Sequence, residues 1–293
     1  FIAMASLKEV KGRIASVNST LKITSAMKMV ASAKLHRAQG AIENMLPYER
    51  KLNEILSGFL SAEGASNSPY AEKREVGRVA IVAVSSNSSL CGAFNANVAK
   101  KLQETIEHAY GHLRKEDIRI FAVGKKIADV ARKMGYPSEG DFQRLSDKPT
   151  YKEAAQLAER LMQMFINHEV DRVELIYNHF KSVSTQVMTH ETYLPISTEK
   201  KEHKGASADY IVEPDRETVI RTLIPQVLGL KIYTILLDSN AAEHAARTIA
   251  MQMATDNATE LIQELTVQYN KTRQQLITNE LLEGVQFRVD ETS

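Results

Sequence analysis

The chain is predicted to be α/β: a long antiparallel coiled coil of N- and C-terminal helices, with a Rossmann-like three-layer α/β domain between them. Three observations predict this. Apolar residues recur at 3,4 spacing from Leu7 through Val10, Ile14, Val17, Leu21, Ala31, Leu35, Ala38, Ile42, Met45, Leu52 and Leu56 to Phe59, broken only by Thr24, Lys28 and Glu49. A 3.5-residue period is the mark of a left-handed coiled coil. In the middle, short apolar β-branched runs alternate with helical patterns, which implies a parallel sheet with right-handed crossovers. The last third is helical again and rich in alanine.

The first helix is expected over 5–60, with Pro47 marking a kink. At 1.5 Å per residue it would be roughly 80 Å long. A globule of this chain length would be about 50 Å across, so the helix is expected to project. Residues 64–70 read as a linker. Strands follow at 79–84, 118–123, 173–177 and 185–196, the last pair a candidate hairpin. Helices are expected at 95–110 (Val98, Leu102 and Ile106 inward), 125–134 and 151–168 (Leu157, Leu161, Met164 and Phe165 inward). Residues 198–207 form a charged, glycine-containing loop. From 215 the chain is helical to about 282, with Pro225 and Gly229 as candidate breaks. Ala241, Ala242, Ala245, Ala246, Ala250, Ala254 and Ala258 let a second axis approach closely, and Ile249, Met253, Leu261, Ile262 and Leu265 complete the expected stripe. The partner helix is the chain's own first helix. The division is therefore 4–62 with 214–285 for the coiled coil and 76–213 for the α/β body. Phe1-Ile2-Ala3 ahead of Met4 read as a vector-derived remnant.

Composition excludes several classes. The 293 residues carry 37 Lys and Arg against 36 Asp and Glu, with a single cysteine, Cys91. One cysteine forms no internal disulfide and fits a reducing compartment. No apolar run reaches membrane-spanning length, and no secretory or transit peptide is evident. Charge is uneven: Lys8, Lys11, Arg13, Lys22, Lys28, Lys34 and Arg37 oppose Glu9 alone before Gly40. That helix face is either solvated or meets an acidic partner; with no aromatic to stack on bases, nucleic acid fits less well.

Catalytic signals are weak. The loop Ser85-Ser86-Asn87-Ser88-Ser89-Leu90-Cys91-Gly92-Ala93-Phe94-Asn95 lies where a doubly wound fold holds phosphate. It has one glycine and no lysine, unlike a dinucleotide fingerprint or a P-loop. Cys91 reads as a packed thiol rather than a nucleophile. His108 and His112 have a metal-compatible spacing but no evident third ligand, so a solvated helix end fits better. Two clusters stand out. Lys28 occupies a seam position beside Met27 and Met29, either snorkelling or meeting a partner. Residues 270–281 contain Arg273 beside Gln274, with Thr278 and Glu280 nearby, either hydrated or suited to bidentate contacts.

These motifs carry a resemblance. Ser6-Leu7-Lys8-Glu9-Val10-Lys11-Gly12-Arg13-Ile14, Lys22-Ile23-Thr24-Ser25-Ala26-Met27-Lys28-Met29-Val30-Ala31, Leu90-Cys91-Gly92-Ala93-Phe94-Asn95, Glu243-His244-Ala245-Ala246-Arg247 and Asn270-Lys271-Thr272-Arg273-Gln274 with Ile277-Thr278-Asn279-Glu280-Leu281 resemble the γ chains of F-type ATP synthases. The resemblance covers 4–282. It implies a non-catalytic rotor shaft without cofactor or metal, inside a ring of three α and three β subunits. Its α/β body would meet the ε subunit and the membrane c-ring. It places Met27 and Lys28 near an acidic β-subunit loop, and Arg273 and Gln274 on a β-subunit catch loop with Thr278 and Glu280 close by. It implies a peripheral protein on the cytoplasmic face of a bacterial inner membrane. Asn87 and Ser89 depart from the Asp and Gly usual in that family, and the tail from Glu283 is longer and more mixed than the family's. The paired cysteines of chloroplast relatives are absent, so thiol control is not expected. Two rivals remain: an α/β enzyme binding a nucleotide or metabolite at the 85–95 loop, and a nucleic-acid-binding coiled coil.

Overall fold

Six consecutive apolar residues, mostly β-branched, form β1 (Val79–Val84), and every one is buried. A strand with both faces covered has no polar alternation. β2 (Ile118–Val123) and β3 (Arg172–Ser182) flank it in parallel, and β4 (Thr185–Leu194) pairs antiparallel with β3 at the edge, giving the order β2-β1-β3-β4. The computed structural model describes residues 2–60, 68–196 and 216–290. The 198–207 loop and most of the 64–70 linker lie outside them, as do the side chains of the tail from Glu283.

The chain forms two compact units, 31–247 and 1–30 with 248–293. In the first, the sheet separates two apolar layers. Ala80, Val82 and Val84 of β1 face Leu157, Leu161 and Phe165 of α5 (Tyr151–Ile166) and residues 224–236 of the C-terminal helix. Val79, Ile81 and Ala83 face Val98 and Leu102 of α2 (Phe94–Glu104) and Ile127 and Ala131 of α3 (Lys125–Lys133). This is the expected three-layer arrangement, with one antiparallel edge strand. α2 continues as a π-helical turn over Thr105–Ala109, and a short helix, α4 (Gln143–Asp147), precedes α5.

The terminal helices are α1 (Ile2–Leu60, 59 residues) and α6 (Arg216–Asp290, 75 residues). α1 runs on through Pro47. Pro225 and Gly229, read above as breaks, lie inside α6. Packing overrides propensity here: Ile224, Val227, Leu228 and Leu230 are buried, and Gly229 lies against Ala155 of α5. No described seam position of α1 is exposed.

The two helices pair antiparallel in each unit. In 31–247, Leu35 and Ala38 pack with Ala245 and Ala241. In the other unit, Thr24 meets Thr255 and Lys28 meets Gln252. Among the described residues of that unit, the buried α6 residues are Met251, Ala258 and Leu265, seven apart. This corrects the expected stripe: Ile249, Met253 and Leu261 are exposed and Ile262 is half-buried. A heptad seam is narrower than the apolar pattern suggests, so apolar residues flanking it stay outside.

Candidate functional site

The loop after β1 was the candidate for phosphate binding; Ser85 and Ser86 are buried, and much of its polar capacity is used within the chain. Asn87 Oδ1 accepts from Lys125 N at 2.9 Å, Ser86 O from Lys126 N at 3.2 Å and Ser85 Oγ from Ile127 N at 2.9 Å. The first backbone donors of α3, which could cradle an anion, are thus engaged by the chain itself. Gly124 has φ +102°, and a Cβ there would sit 2.4 Å from Ser85 O, so the α3 start presses directly on this loop. Asn95 reaches back to Ser86 Oγ (2.8 Å), Ser88 O (3.2 Å) and Cys91 Sγ (3.2 Å). Cys91 is buried and free, as a packed thiol should be. Leu90 takes φ 67° and Gly92 φ 59°, so the left-handed turn falls after Ser89.

α6 secures the same loop from the other side. Arg247 Nη2 donates to Ser88 Oγ at 2.8 Å and Ser89 O at 3.3 Å, and Nη1 pairs with Glu243 at 2.5 Å. Burial pushes the Glu243 carboxyl up, and Arg247 partly offsets this. Burial, with the charges of Arg247 and Lys34, holds the His244 imidazole down to about 4. A second buried group, Glu174 on β3, accepts from Tyr110 Oη and pairs with His190 Nε2, both at 2.5 Å. Burial raises its carboxyl, but those two bonds together with the charges of His190 and Arg172 outweigh it and leave the carboxyl lowered. These networks tie elements together. His108 and His112 are both exposed, and among the described residues no group of His, Cys, Asp and Glu is arranged to hold a metal.

The partner-binding candidates all lie on the paired helices. Lys28 is half-buried, and its Nζ donates to Gln252 Oε1; Gln252 Nε2 in turn donates to Asp256 Oδ1 at 2.7 Å. Met27 beside it is half-buried. Arg273, Gln274, Thr278 and Glu280 are exposed, and the Thr278 hydroxyl donates to Gln274 O at 2.9 Å. The two clusters are separate: Gln252 and Arg273 are roughly 31 Å apart along α6. Sequence reasoning missed Gln252 and Thr255, because the register of α1 against α6 cannot be read from one chain. Apolar side chains are unusually exposed around both clusters: Met29 64 %, Met253 61 %, Val267 69 % and Leu281 66 %.

Comparison with known proteins agrees with these features. Residues 6–286 match the model of the ATP synthase family. The ATP synthase gamma chain of Phocaeicola vulgatus is 61% identical, covering 96% of this chain and 98% of that protein. The Bacteroides fragilis gamma chain is 62% identical over the same shares. Among solved structures, a chain of the Euglena gracilis mitochondrial ATP synthase (OSCP/F1/c-ring) superposes with TM-score 0.67 at 20% identity, covering 97% of this chain and 94% of that one. A chain from the Tetrahymena thermophila mitochondrial enzyme, central stalk and c-ring, gives 0.56 at 21%. At such identity these two establish the fold. The chain belongs to the ATP synthase gamma-chain family.

Proposed function

We propose that this chain is the central rotor shaft of an F-type ATP synthase, coupling proton-driven rotation of the membrane c-ring to conformational change at three catalytic β subunits. The observation that carries this reading is the antiparallel pairing of α1 and α6 with exposed apolar and polar clusters along it, in a member of the gamma-chain family. The chain itself performs no bond chemistry and needs no cofactor. The shaft comprises 4–62 and 214–285 and the foot 76–213. Its partners are three α and three β subunits around the shaft, with ε and the c-ring at the foot. A rotor biases a neighbour only through contact free energy that differs between orientations. An asymmetric shaft turning inside a ring supplies that difference cyclically.

Met27 and Lys28 face the acidic loop of a β subunit, and the basic first helix complements that charge. Arg273 and Gln274 hydrogen-bond a β-subunit catch loop, with Thr278 and Glu280 flanking them. Their exposure supports this role, since they are presented without being spent on the fold. Among the described residues no helix is long and apolar enough to cross a membrane, which accords with a peripheral position on the cytoplasmic face of a bacterial inner membrane.

The test is reconstitution with α and β subunits of the matching enzyme. We expect one copy per three α and three β. Arg273→Ala with Gln274→Ala should lower ATP turnover while leaving the helical signal of the chain intact. Wild-type turnover of that assembled double variant would remove these residues from the site, and failure of the unaltered chain to associate would remove the shaft reading.

A further inference from the structure

Among the described residues, directional bonds between the α/β body and the terminal helices cluster on one stretch of α6. Tyr193 Oη of β4 donates to Leu228 O at 2.9 Å. Lys231 Nζ donates to Glu191 Oε2, also of β4, at 2.9 Å. Asp238 takes two partners from β3: His179 Nδ1 at 2.6 Å and the Phe180 N–H at 2.9 Å. Asn240 Nδ2 donates to Ser146 O of α4 at 3.0 Å, and Arg247 holds the loop after β1 through Ser88 and Ser89. Four separate parts of the body therefore grip α6 between Leu228 and Arg247, a span of about 29 Å. α1 enters the same unit differently. Leu35 and Ala38 pack on Ala241 and Ala245, and Leu52 rests on the core beneath the sheet.

The two kinds of contact resist different motions. Apolar burial is non-directional, so it opposes separation but fixes neither azimuth nor axial position closely. Hydrogen bonds weaken steeply with angle and distance, so a row of them on one helix opposes both rotation and sliding of that helix. From these placements we infer that α6, not α1, carries torque between the α/β body and the shaft, with Lys231, Asp238 and Asn240 as positioning residues. This inference rests on the rotor reading. α6 is suited to it because one continuous helix runs from these grips to the Arg273–Glu280 cluster.

The test uses the whole complex, reconstituted with ε and the c-ring in inverted membrane vesicles, measuring ATP hydrolysis and ATP-driven proton uptake together. Asp238→Ala with Lys231→Met cuts three of the bonds. Leu35→Ala serves as comparator, at a temperature where melting shows both variants folded. Hydrolysis should persist in the polar variant, and proton uptake per ATP should fall several-fold. Leu35→Ala should keep the uptake ratio of the unaltered chain even where its melting temperature drops as far. Should the first variant fail to assemble, Lys231→Met with Asn240→Ala cuts two links without touching Asp238 and should shift the ratio the same way. An unchanged ratio in the polar variant that assembles, or an equal loss in Leu35→Ala, overturns the inference. A complex that pumps no protons with the unaltered chain would instead count against the shaft reading itself.

Discussion

His244 is 3 % exposed on α6, and burial with the charges of Arg247 and Lys34 holds its imidazole down to about 4. Unfolding restores the ordinary value near 6.5, so below that pH the unfolded chain binds the extra proton. The stabilisation is therefore complete above about pH 6.5 and is lost as pH falls towards 4. A shift of this size corresponds to about 3 kcal/mol. Asp147 facing the ring acts against the shift, and the raised Glu243 carboxyl beside it titrates with the opposite sign. A comparison between chains isolates the histidine: the advantage of the unaltered chain over His244→Gln should narrow by about 3 kcal/mol between pH 7 and pH 4 in urea melts. A constant difference would mean the imidazole is not held neutral. Gly124 offers a second single-residue test. A Cβ there meets the Ser85 carbonyl at 2.4 Å in a left-handed backbone. Gly124→Ala should cost about 2–3 kcal/mol by denaturant titration.

The regular elements were legible to different degrees, and the reasons are physical. β1 and β2 appear at their expected bounds because a strand covered on both faces reads as a near-continuous apolar run, broken only by Arg119 in β2. β3 extends to Ser182, past the expected 177, because Asn178–Ser182 is polar except for Phe180 and its pairing with β4, not its own pattern, makes it a strand. α4 was missed since five residues carry no period. α6 was read correctly as helix, and Ala241, Ala242, Ala245, Ala258 and Leu265 of the expected stripe are buried, but the stripe was drawn too broad, because the flanking Ile249, Met253 and Leu261 lie outside the seam. The polar members of that seam are its most informative feature. Thr255 Oγ1 donates to Thr24 Oγ1 at 3.0 Å, and Thr24 is 8 % exposed. Gln252→Leu should cost about 1 kcal/mol by leaving the half-buried Lys28 ammonium without this acceptor, and adding Lys28→Met should recover most of it. A double-mutant cycle measures the coupling; additive costs would mean the pair is solvated and independent.

For the whole molecule, the candidate site was legible as motifs and not as geometry. Arg273, Gln274, Thr278 and Glu280 are exposed on α6, where sequence placed them on a helix, and their proposed β-subunit contacts came from motif resemblance and not from pattern. Lys28 is the converse case: its seam position was visible in the heptad pattern, while its acceptor Gln252 emerges only from the register of two helices. The same limit hid the polar row on α6 from Lys231 to Arg247, whose partners come from four distant parts of the chain. The central claim is that this chain turns. It is tested most directly by fixing a ring of three α and three β subunits to a surface, attaching a bead to the 76–213 body of this chain, and watching the bead while ATP is supplied. Sustained rotation in one direction, stopping when ATP is removed, is the expected result. ATP hydrolysis at the usual rate with the bead stationary and freely tethered would contradict it.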